Sequence, residues 1–113
     1  MIFMENAEEY TEEVEYLVDY ARMTLLNFHP VWDSVEGLAG NGASFEVVMD
    51  VTLRLISDML DHGVTLGDMS SHPDEGFIPW DTAKDESLRR VSERMKRHPN
   101  RSDFLKVCWF SFS

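Results

Sequence analysis

Four histidines, one cysteine and a large surplus of carboxylates are the side chains of this chain with chemistry to offer. His29, His62, His72 and His98 never stand at the i, i+4 spacing of a helical zinc pair, and no Cys-x-x-Cys accompanies them. His62 and His98 fall at predicted helix C-termini, where a partly charged imidazole suits the negative end of the dipole. His72 lies close to Asp74 and Glu75 in a predicted loop, a grouping that acidic loops produce without any ion to hold. Cys108 has no second cysteine to pair with, which fits a reducing cytoplasm. Its apolar neighbours Trp109 and Phe110 suit a small buried hydrophobe, and no partner base that would activate a thiol is evident from spacing. Phosphate-binding glycine loops, nucleophile elbows and the metalloprotease motif are absent. The expectation is a protein with no catalytic residues, no metal and no cofactor.

The carboxylates remain. The formal net charge is −11, and residues 1–80 carry 16 acids against two bases, Arg22 and Arg54, a balance of −14. Residues 81–113 carry five acids against eight bases, a balance of +3. Such a surface repels nucleic acid and anionic membrane over most of its extent and attracts a basic protein. Acidity also aids solubility, so charge alone does not choose between a binding face and a solvated one. The densest run sharpens the choice. Glu8, Glu12, Glu15 and Asp19 repeat at three- and four-residue steps, and like charges so placed on a helix destabilise it slightly. A helix selected for stability alone would intersperse lysines, and none is present there. Asp68, Asp74 and Glu75 form a second candidate patch, and Trp80 is the candidate anchor at its edge. Tryptophan in such a segment serves either as core cover or as an interface anchor.

The elements that must position these residues follow from periodicity. The chain of 113 residues is 43% hydrophobic, enough for one core, and reads as a single domain over 1–113. Residues 44–63 predict the central helix. Phe45, Val48, Met49, Ile56, Met59 and Leu60 recur at the helical period, with Val47, Val51, Leu53 and Leu55 widening the apolar surface. Ser44 can cap it, and Gly63 can end it. Glu46, Asp50 and Arg54 mark its wet edge. Residues 6–28 read as one long helix with a capping box at Asn6 and Glu9 and an apolar face of Tyr10, Val14, Leu17, Ala21, Leu25 and Phe28. Pro30 is expected to end it, and Val31 to Leu38 to form one or two covering turns. Strands near 64–67 and 76–79 would make a hairpin, with Pro79 confining the second to an edge; an ordered loop is the alternative. A basic helix over about 82–97, capped by Asp81 or Thr82, carries the stripe Leu88, Val91 and Met95. The residues from Phe104 onward read as a final strand or an extended tail. The expected class is mainly α: three main helices with a minor β-hairpin or extended C-terminal strand. No apolar run approaches the roughly 18 residues of a membrane span. The acidic start has no basic n-region of a signal peptide.

The order of features over residues 30–113 resembles small bacterial immunity proteins of contact-dependent growth inhibition and related polymorphic toxin systems. The features are the short helix around Val31, Trp32 and Asp33, the apolar helix ending in Leu60-Asp61-His62-Gly63, the segment Gly76-Phe77-Ile78-Pro79-Trp80, and the closing Cys108-Trp109-Phe110. The resemblance implies a cytoplasmic, non-enzymatic inhibitor that neutralises one cognate toxin, often a nuclease with a basic cleft. Binding residues diverge widely among such proteins, so the resemblance assigns none. A small acidic adaptor or structural protein without a toxin partner is the alternative.

Overall fold

The structure, a computed structural model, describes residues 7–40, 42–72 and 74–112. Its elements in order are α1 (Ala7–Met23), α2 (Phe28–Ala39), α3 (Phe45–Asp61), β1 (Val64–Met69), β2 (Phe77–Pro79), α4 (Lys84–Arg97), a 3-10 segment (Arg101–Lys106) and β3 (Trp109–Phe112). The class is mainly α, with the strands in one antiparallel sheet of order β2-β1-β3.

Helix α3 forms as its residues dictate. The Ser44 hydroxyl accepts from the Val47 N–H at 3.2 Å, and Gly63 takes φ 99° just past the end, a conformation that costs a residue without Cβ least. Val48, Met49, Val51, Thr52, Leu55, Ile56 and Met59 are buried against α1, α2, α4 and β1. Thr52 keeps its hydroxyl satisfied by donating to the Val48 carbonyl at 2.7 Å. Glu46, Asp50 and Arg54 lie at the wet edge, as the pattern predicts. The buried arc is narrower than the sequence suggests: Leu53 and Leu60 are half-buried at its margins, while Phe45 and Val47 are exposed.

The long first helix is two helices. α1 ends at Met23, and Leu26 leaves the helical path to exchange hydrogen bonds with Phe110, N to O at 3.0 Å and O to N at 2.7 Å. Asn27 then caps α2 by accepting from the His29 N–H at 2.9 Å. Pro30 therefore does not end a helix; it sits in the first turn of one, where its missing N–H has no partner to lose. The covering turns become a 12-residue helix whose Phe28, Val31, Val35 and Leu38 enter the core. The capping box at Asn6 lies outside the described residues.

Hairpin β1–β2 is present with the register Gly67↔Pro79, Asp68↔Ile78 and Met69↔Phe77, and β2 is an edge strand. The closing residues do form a strand, β3, paired to the other side of β1 from Val64↔Phe112 to Gly67↔Trp109. Val64, Leu66 and Phe110 on the inner face are buried against the helices. α4 starts at Lys84, with neither predicted cap in place. Ala83 occupies the cap position, and the Thr82 hydroxyl instead lies 2.6 Å from that of Ser87. Its narrow stripe is Ser87, Val91 and Met95, with Leu88 half-buried. Acids begin α4 and bases end it, the arrangement the helix dipole favours. No helix among the described residues is long and apolar enough to cross a membrane.

Candidate partner-binding surface

Helix α1 presents Glu8, Glu12, Glu15 and Asp19 as one exposed row. None of them enters an ion pair among the described residues. The cations of the chain are mostly occupied elsewhere. Lys84 meets Asp61 at 2.6 Å, Arg89 binds Glu86 and Glu93, and Lys106 reaches Asp103 at 3.7 Å. The Arg89 contact holds the exposed Glu86 carboxyl below its ordinary range. Arg22 lies over the Phe112 ring, 4.6 Å from its centroid, and Arg54 over Tyr10 at 5.5 Å. Among the described residues no ion pair relieves this row, although Arg22 lines the same hollow as Glu15 and Asp19.

Beside this row, Glu15 and His62 line two adjoining shallow hollows between α1 and the end of α3. The His62 Nδ1 lies 2.8 Å from the Asp58 carbonyl oxygen, which can only accept, so Nδ1 carries the proton. One turn away the Tyr10 hydroxyl donates to the Asp58 carboxylate. Burial, that hydrogen bond and the neighbouring negative charge, in that order, push the Tyr10 phenol well above its ordinary pKa, against a smaller opposing pull from Arg54. A group with a raised folded pKa contributes stability below its unfolded pKa and loses it as pH climbs through the folded one. Tyr10 should ionise late, above the ordinary tyrosine range, in an alkaline titration followed by tyrosinate absorbance. Tyr10→Phe should remove that late step; an unchanged profile would contradict the geometry.

The second candidate patch divides. Asp74 and Glu75 are exposed on the loop that joins β1 to β2, which the Ser70 N–H closes by donating to the Gly76 carbonyl at 2.8 Å. Asp68 stands apart from them in β1. It accepts from the Trp80 indole N–H at 2.9 Å and from both terminal nitrogens of Arg94, the longer contact 3.3 Å. Arg94 also donates to the Val107 carbonyl at 3.3 Å, and Arg90 and Arg94 lie 4.7 and 4.9 Å from the Trp80 ring centroid. Asp68 and Trp80 thus clasp the sheet to α4. Sequence alone offered no signal for this, because Arg94 lies far along the chain. Below the clasp, Leu60, Leu66, Ile78, Trp80, Thr82 and Lys84 line an open groove of about 670 Å³.

Cys108 is fully buried, and burial pushes its thiol far up, which makes it a poor nucleophile. Among the described residues no group of three or more His, Cys, Asp or Glu side chains is placed to hold a metal ion. No protein-family model matches this chain, and no curated protein and no solved structure matches it either.

Proposed function

We propose that this chain is a cytoplasmic immunity protein that neutralises a basic bacterial toxin by contact, without catalysis. The observation that carries the reading is the exposed row Glu8, Glu12, Glu15 and Asp19, which enters no ion pair among the described residues. The order of features shared with immunity proteins supports it. Long-range attraction to such a face speeds encounter, while a few desolvated contacts set the lifetime of the complex.

The test is co-expression with the toxin domain encoded by the adjacent gene, scored by survival, followed by binding kinetics at two salt concentrations. Glu12→Lys combined with Glu15→Lys should slow association about tenfold at low salt and flatten its salt dependence, with dissociation changed far less. An adjacent gene that encodes no toxin, or co-expression without protection, would end the immunity reading. Protection with salt-insensitive association would keep immunity and remove the acidic helix from it.

A further inference from the structure

The sheet has a second face. Val64, Leu66 and Phe110 point into the core, so Thr65, Gly67 and Met69 of β1 point the other way. The register sets Trp109 and Pro79 on either side of Gly67, with Phe77 beside Met69. Phe77 lies across Gly67: a Cβ there would stand 2.6 and 2.8 Å from its ring carbons. Trp109 is pinned by its indole N–H, which donates to the Leu105 carbonyl at 3.1 Å. Met69, 37% exposed, extends this apolar surface on the face away from the core.

Three features indicate what this face receives. Tyr10, Trp80 and Phe112 each already carry an arginine of the chain over the ring, whereas Phe77 and Trp109 carry none among the described residues. Asp74 and Glu75 are exposed on the loop leading out of this end of the sheet, without an ion pair among the described residues. The open edge of β2 is a poor template for an added strand. The Trp80 N–H bonds the Leu66 carbonyl, so alternation turns Phe77 and Pro79 outward, and Pro79 has no N–H. Recognition on this side therefore uses the face and not the edge.

We infer that the outer sheet face docks a basic segment of the toxin, with an arginine side chain laid on Trp109 and Phe77 and its guanidinium drawn to Asp74 and Glu75. This rests on the immunity reading for the owner of the segment, and the surface chemistry is tested without it. An aromatic face takes a guanidinium readily, and tryptophan makes the strongest such platform.

The probe is a capped leucine–arginine–leucine peptide titrated into the isotope-labelled full chain, with a leucine–glutamine–leucine peptide as control. The Trp109 indole N–H and the Phe77 and Met69 signals should shift with the arginine peptide and stay still with the control. Asp74→Lys with Glu75→Lys, both on an exposed loop, should weaken the peptide about fivefold. Trp109→Ala, checked for unchanged helical dichroism, should abolish the shifts. Shifts confined to α1, no shifts at all, or equal binding by the double-lysine variant would overturn the assignment. Shifts at the sheet face in a protein that gives no protection would retire the toxin and leave the surface in place.

Discussion

Phe110→Ala should lower the free energy of unfolding by about 3–5 kcal/mol, read from urea denaturation. Phe110 is fully buried on the inner face of β3, opposite Leu66, and both its backbone groups are bonded to Leu26. Those bonds survive truncation, so the loss is one of packing: the ring leaves a void where the sheet meets the helices. Domains of this size are stable by only about 5–15 kcal/mol in total, so the variant should stand near the edge of folding. Phe112→Ala is the comparison. Phe112 shares the inner face but is half-buried under Arg22, and its truncation should cost clearly less. Equal costs would mean that the core is not centred where β3 meets Leu26.

Gly67→Val should be nearly as damaging, for the opposite reason. A Cβ at Gly67 would lie 2.4 Å from the Ile78 carbonyl oxygen, a backbone atom held in the hairpin, besides meeting the Phe77 ring. The ring can swing aside, but the carbonyl cannot withdraw without parting β1 from β2. The expected cost is about 2–3 kcal/mol, with a matching fall in Tm. Gly37→Ala makes the contrast. Gly37 lies within α2, its added Cβ meets nothing within 4 Å, and the change should raise stability by about 0.5–1 kcal/mol. A melting point unmoved by Gly67→Val would show that the hairpin yields, and that Phe77 is not held over the sheet as described.

Helix α3 was legible from sequence because cap, period and stop coincide at Ser44, the buried arc and Gly63. The end of α1 was not. Leu25 and Phe28 continue the helical period across the break, so local pattern favours one helix, while a tertiary pairing of Leu26 with Phe110 favours two. Tertiary pairing won, as it does over weak local preference. Both strands of the hairpin and the edge position of Pro79 followed from residue type. The acidic row of α1 was readable because Glu12, Glu15 and Asp19 lie beyond the first turn, where the helix dipole no longer favours carboxylates and like charges at helical spacing repel. Asp68 and Trp80 were harder: their partners Arg90 and Arg94 arrive through the fold, not through neighbouring sequence. The outer sheet face depends on register, since only pairing sets Trp109 and Phe77 on the same side as Gly67.

The bridge between Leu26 and Phe110 also bears on how the molecule is made. It joins a residue just after α1 to one in β3, and the β1–β3 ladder must likewise wait until α4 and the 3-10 segment lie between its strands. Helices and the β1–β2 hairpin close short loops and form quickly; this closure spans most of the described chain and its entropy is lost before any contact repays it. Docking of β3 is therefore the step expected to be slow and topology-limited in folding. Until it happens, the inner surfaces of α1, α2 and β1 stand uncovered together, and that interval is when the chain is most open to misassociation.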